Sequence, residues 1–68
     1  MKTKHLFSTR LIQSRQSLRL TQQQVATAIG VSQSAYNYCE SGKHYPNATK
    51  IFQLTQVLKI PLEDLIST

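Results

Sequence analysis

Apolar residues recur along this chain at helical spacing, in short runs separated by capping and stop residues. Val25, Ala26 and Ile29 define one face of a helix. Tyr36 and Cys39, with Ala35 beside them, define one face of the next, while Gln33, Ser34, Asn37, Tyr38 and Ser41 fall on the other. Ile51, Leu54 and Leu58 make a stripe on a third segment, which Phe52 and Val57 widen. Leu62, Leu65 and Ile66 give a last short helix its apolar face. Before all of these, a helix is predicted over residues 8–17, with Ser8 as its cap. Leu11 and Leu18 are expected to face inward, and Leu20 to pack in the connection. No stretch reads as a strand. The pattern predicts an all-α fold of five short helices around one core.

The punctuation between the helices is as informative as the helices. Thr21 can cap with its hydroxyl, and Gln24 can reach back to it, which makes a capping box. Gly30 stands where a helix often ends in a left-handed residue. Val31 can plug the corner, and Ser32 is a good N-cap for the helix that follows. Ala26 and Gly30 are small enough for two helices to cross closely over this turn. Gly42 supplies the next stop, followed by a turn-rich loop, Lys43-His44-Tyr45-Pro46. Asn47 is a credible cap for the fourth helix, ending near Leu58, and Pro61 suits the first turn of the fifth.

Thr21-Gln22 through Ala26, then Gly30-Val31-Ser32, Tyr36, Glu40-Ser41-Gly42-Lys43 and Pro46 resemble the Cro/C1-type (XRE-like) helix-turn-helix family. The resemblance covers residues 11–66 in one register. It implies a compact lambda-repressor-like DNA-binding domain with its helix-turn-helix at about 21–41. The chain is expected to divide into a flexible basic arm, 1–6, and a single helix-turn-helix domain, 7–68. The chain departs from the family at three places. Ser14 stands where an aliphatic residue is usual, which implies a thinner core under the first helix. Lys59 stands where glycine is common, and the Lys43-His44-Tyr45-Pro46 loop is short.

With 68 residues there is room for one domain of modest core, which dimerisation would help to stabilise. The net charge of +5 favours a polyanionic partner. Its distribution says more than its size. Residues 20–39 carry no charge, while Lys2, Lys4, Arg10, Arg15 and Arg19 precede them and Lys43, Lys50 and Lys59 follow. Charge on flanking segments can grip phosphate while neutral polar groups read bases. One cysteine makes no intrachain disulfide, and with two histidines it makes no metal-ligand cluster, so no metal or other cofactor is expected. Cys39 is expected in the core. The N-terminus lacks the apolar run of a signal peptide, and a cytoplasmic location is expected.

The candidate site residues follow. Gln33, at the start of the third helix, can pair bidentately with adenine; Ser34, Asn37 and Tyr38 share its face, and the resemblance supports all four as groove-facing. Gln22, in the first turn of the second helix, is a phosphate candidate, as are Lys43, His44 and Tyr45 just after the third. The resemblance implies an ion pair between Arg15 and Glu40. That pair also makes electrostatic sense, because an unneutralised acid beside a DNA-facing helix would repel phosphate. Ile60, Leu62, Leu65 and Ile66 are expected to form a dimer contact, partly shared with the monomer core.

The leading function is therefore a sequence-specific DNA-binding regulator. It would be of the small repressor type, binding an inverted repeat in double-stranded DNA as a homodimer, with no small-molecule ligand. The alternative is a protein-interaction module of antitoxin or adaptor type. Such a module would carry acidic or bulky apolar residues on the third helix, where this chain has Gln, Ser, Asn and Tyr. An enzyme is disfavoured: Glu63 and Asp64 are adjacent in a terminal helix, no glycine loop cradles phosphate, and nothing sets a base beside Cys39 or a serine.

Overall fold

Helix ends, more than helix interiors, decide this architecture. The computed structural model describes the backbone of residues 3–66 and the side chains of residues 6–66. In chain order the helices are α1 (Thr3–Ser17), α2 (Gln22–Ile29), α3 (Gln33–Glu40), α4 (Ala48–Leu58) and α5 (Leu62–Ile66), with no strand among the described residues. Three of the starts are capped by the residues the sequence offers. The Gln24 N–H donates to Thr21 Oγ1 at 3.0 Å, while the Thr21 N–H donates to Gln24 Oε1 at 2.8 Å, closing the capping box. The Ala35 N–H donates to Ser32 Oγ at 3.1 Å, and the Lys50 N–H to Asn47 Oδ1 at 2.9 Å.

The stops share one device. The described residues with positive φ are Arg19, Gly30, Gly42 and Lys59, and each follows the end of one of the first four helices. After each, the next N–H reaches back five residues: Leu20 to Arg15 O at 3.1 Å, Val31 to Ala26 O at 3.0 Å, Lys43 to Tyr38 O at 3.0 Å and Ile60 to Thr55 O at 3.1 Å. This is the Schellman arrangement, which satisfies carbonyls the helix leaves orphaned. In three of the four cases the residue after the left-handed one is apolar. Leu20, Val31 and Ile60 pack, partly buried, against the core. These three stops thus turn the chain and add a hydrophobic plug beneath the turn.

The core is formed by Phe7, Leu11, Val25, Ala26, Ile29, Tyr36, Cys39, Ile51, Leu54, Leu58 and Leu65. Tyr36 of α3 and Leu11 of α1 are wholly buried.

Four expectations are corrected. α1 begins at Thr3, ahead of the predicted start, so residues 3–6 of the expected arm are helical, and residues 1–2 lie outside the described residues. No glycine or proline interrupts that segment, and Phe7 within it is a core residue, 1% exposed. Ser8 is accordingly buried inside the helix rather than at its start. Leu18 is exposed, because the turn at Arg19 hands the core-facing place to Leu20. Phe52 is 59% exposed, off the stripe made by Ile51, Leu54 and Leu58.

Around Ser14 the packing is thin, as its small polar side chain implied. An open hollow lies between α1 and α5, lined by Arg10, Gln13, Ser14, Ile60 and Asp64. Arg10 Nη1 spans it by donating to the Asp64 carbonyl oxygen.

Lys59 sits at φ 56°, ψ 43°, a conformation that costs a side-chain-bearing residue about 1–2 kcal/mol. Lys59→Gly is expected to stabilise the domain by about 0.5–1 kcal/mol, a rise of several degrees in Tm. Gly30→Ala is expected to destabilise it by a similar amount, through backbone strain rather than a clash, since the new Cβ would meet only Lys50 Nζ at 3.8 Å. Thermal melts of both variants check this pair, and a Tm for Lys59→Gly no higher than that of the parent would refute it.

Candidate nucleic-acid interface

α2 and α3 meet over the turn at Gly30, whose φ of 77° only glycine adopts without strain. Ala26 lies wholly buried at the crossing, and Val31 fills the corner. A cation locks the same turn from the other side. Lys50 of α4 donates from Nζ to the Ile29 carbonyl oxygen at 2.7 Å, so a positive charge sits at the negative end of α2. The angle at which α3 projects is therefore held by glycine, a small side chain and a lysine from a third helix.

On its outward face α3 exposes Gln33, Ser34, Asn37 and Tyr38. These four and Gln22 of α2 line one open hollow. The structure thus brings together the four candidate base-reading residues and one of the four phosphate candidates. Lys43 and His44 lie exposed in the loop after α3. Tyr45, also exposed, rests its ring on Phe7, with ring centroids 4.7 Å apart and the planes tilted by 53°. Its ring is anchored to the core, which leaves the loop less freedom than an unpacked tyrosine would.

The inner side of α3 carries the ion pair. Arg15 of α1 binds Glu40 through both nitrogens of its fork, Nε to Oε2 at 2.6 Å and Nη2 to Oε1 at 3.2 Å. Its remaining Nη1 donates to the Leu20 carbonyl oxygen at 2.9 Å. Gln22 Nε2 adds a third donor to the carboxylate, at 2.9 Å from Oε1. The Glu40 side chain is only 4% exposed. Burial by itself pushes its carboxyl pKa up. The hydrogen bonds of Arg15, the nearby Tyr36 hydroxyl dipole, the hydrogen bond of the Gln22 amide and the Arg15 charge outweigh burial and hold the pKa below the ordinary value of 4.5. The hydrogen bond to Glu40 is likewise the main cause of a raised Arg15 pKa. Tyr36 is pushed far above the ordinary phenol value, first by burial and then by Glu40. Its hydroxyl is buried near the carboxylate yet outside good hydrogen-bond geometry.

Cys39 is a buried free thiol that donates to the Ala35 carbonyl oxygen at 3.7 Å, and burial raises its pKa. Among the described residues no cluster of metal-ligating side chains forms, and no helix is long and apolar enough to cross a membrane.

The expected dimer contact is redistributed. Leu65 is wholly buried in the monomer core, so its place in that surface is corrected; it sits on the inner side of α5. Ile60 is half-buried, and Leu62 and Ile66 remain exposed.

Sequence reasoning missed two contributions. Lys50 was counted only as flanking charge, although it caps α2. The side chain of Gln22, a phosphate candidate by sequence, also bridges Glu40 and Asn37, whose Nδ2 donates to Gln22 Oε1 at 3.4 Å. Both depend on contacts between helices, for which spacing along the chain gives no signal.

The helix-turn-helix family matches residues 11–65, from the middle of α1 to the end of α5. The protein belongs to that family, in its Cro/C1-type branch. Over 61 residues, 90% of this chain, it is 34% identical to the HTH-type transcriptional activator BcrR of Enterococcus faecalis. The chain spans 30% of that relative's length. No solved structure matches it.

The ion pair gives the fold an acid limit. A carboxyl whose pKa is depressed on folding adds stability above its unfolded value and loses it as pH falls through the folded one. Wild-type stability is therefore expected to decline below about pH 4.5, and Glu40→Gln to flatten that decline while lowering Tm at pH 7. Removing one partner of a buried pair costs about 3–5 kcal/mol, so Glu40→Ala is expected to weaken folding and DNA binding together. Melting curves between pH 3 and 7 (roughly spanning the carboxylate range) test the linkage. An unchanged acid slope in Glu40→Gln would remove Glu40 as its source.

Proposed function

We propose that the protein is a transcriptional regulator that reads an inverted repeat in double-stranded DNA as a homodimer, acting in the cytoplasm. The observation that carries this is the single neutral, polar hollow shared by Gln22, Gln33, Ser34, Asn37 and Tyr38 on the exposed side of a rigidly held α3. An α-helix fits the major groove, where amide and hydroxyl groups can distinguish all four base pairs. Gln33 begins α3 and reads adenine N6 and N7; Ser34, Asn37 and Tyr38 extend the readout along the helix. Lys43, His44 and Tyr45 grip the adjacent phosphates from the loop, and the free N–H groups in the first turn of α2 face the backbone beside Gln22.

The described residues measure 28 × 22 × 21 Å. Successive major-groove faces lie about 34 Å apart, so two reading helices require two copies. Leu62 and Ile66, exposed on α5, and the half-buried Ile60 are the apolar surface through which the copies meet. Bound across a promoter, such a dimer excludes polymerase and represses.

Selection of bound sequences from random duplexes is expected to enrich an inverted repeat. Gln33→Ala is expected to lower affinity for the winner by about 1–3 kcal/mol, and binding is expected to fall by orders of magnitude between about 50 and 200 mM salt. No enriched sequence would defeat the regulator reading. Leu62→Asp with Ile66→Asp is expected to leave a folded monomer by sedimentation; a dimer that survives both changes would place the contact elsewhere.

A further inference from the structure

A carboxylate can only accept hydrogen bonds, and this one rule propagates outward from the core to the reading face. Arg15 holds Glu40 through two nitrogens, so the carboxylate is fixed in place. The only arm of the Gln22 amide that can satisfy Glu40 is its NH2 group, and Nε2 lies 2.9 Å from Oε1. The carbonyl arm of Gln22 is thereby turned toward α3. There it meets Asn37, which must answer with its own NH2 group, and Nδ2 lies 3.4 Å from Gln22 Oε1. With Nδ2 facing Gln22, Asn37 offers Oδ1 and its second N–H to solvent in a set order. Gln22 and Asn37 both line the hollow on the exposed side of α3.

We infer that Gln22 is a positioning residue for base recognition, transmitting the polarity of buried Glu40 to the Asn37 amide and so fixing which base pair Asn37 accepts. The inference rests on the DNA-reading role proposed above and assigns one residue a different main task there. An asparagine pairs with adenine only when its oxygen faces N6–H and its N–H faces N7. An amide free to flip presents either order and discriminates less. Here the order is set before DNA arrives, because reversing Asn37 would place its oxygen against that of Gln22, and reversing both would place the Gln22 oxygen against the Glu40 carboxylate. A phosphate ligand at Gln22 would behave otherwise: it would add affinity on every sequence and carry no base preference.

The two roles separate in one experiment. Wild type, Asn37→Ala and Gln22→Leu are titrated against the selected operator and its single-base variants, at several salt concentrations. Asn37→Ala identifies the base pair whose preference disappears. Gln22→Leu is expected to reduce the preference at that same pair by about tenfold, with preferences at other positions kept. A uniform loss on all sequences would make Gln22 a phosphate ligand and overturn the inference. An unchanged preference would overturn it as well. A wild type without any preferred sequence would defeat the regulator reading itself, and the positioning role with it.

A second measurement needs neither DNA nor a variant that folds. In the free wild-type protein, nuclear magnetic resonance is expected to show the two Asn37 side-chain amide protons at dispersed positions, one of them hydrogen-bonded. Coincidence with the shifts of a solvent-exposed asparagine would overturn the relay.

Discussion

The constraint on which the rest depends is the burial of a negative charge on the helix proposed to face a polyanion. Glu40 ends α3, the element that lies against the groove in the proposed complex. Left exposed, its carboxylate would repel phosphate; left buried and unpaired, it would cost several kcal/mol. The bidentate bond from Arg15 meets both demands. It also ties α1 to α3, while the third guanidinium nitrogen ties α1 to the Leu20 connection. α1, the connection after it and α3, which is 25 residues away along the chain, are thus fixed around one charge, and the orientation of α3 follows.

Around that centre the chain uses a repeated economy at its helix ends. A left-handed residue stops the helix, a backbone bond back over five residues satisfies its carbonyl, and at three of the four ends the following apolar side chain plugs the corner. Only two of the four left-handed residues are glycine. At Arg19 and Lys59 a side chain is carried in a strained conformation, and the packing of Leu20 and Ile60 beneath holds it there. At Gly30 the device is reinforced by Lys50, which places a charge from α4 at the end of α2. Rigidity at that turn is what the proposed base-reading role of α3 needs, since base contacts tolerate little displacement.

Charge is divided between architecture and surface. Of the eight basic residues, Arg10, Arg15 and Lys50 bond to carbonyl or carboxylate groups within the fold. The net positive charge therefore overstates the number of cations with phosphate as their first partner. Lys43, exposed just beyond α3, stands nearest in sequence to the reading residues.

The sequence alone determined the five-helix pattern, the three side-chain caps, the stop at Gly30 and the exposed face of Gln33, Ser34, Asn37 and Tyr38. Each depends on residues within a few positions of one another, where spacing and capping chemistry act directly. The Arg15–Glu40 pair was also legible, through the resemblance and the need to neutralise an acid beside α3. Tertiary structure decided the rest. It extended α1 forward because Phe7 found a place in the core, and it turned Leu18 and Phe52 outward because other residues filled the interior. It buried Leu65 within the monomer, gave Lys50 to the end of α2, and set Gln22 between Glu40 and Asn37. These outcomes rest on which surfaces meet across the fold. Two groups far apart in sequence compete for one partner in space, and their relative positions exist only once the helices have packed.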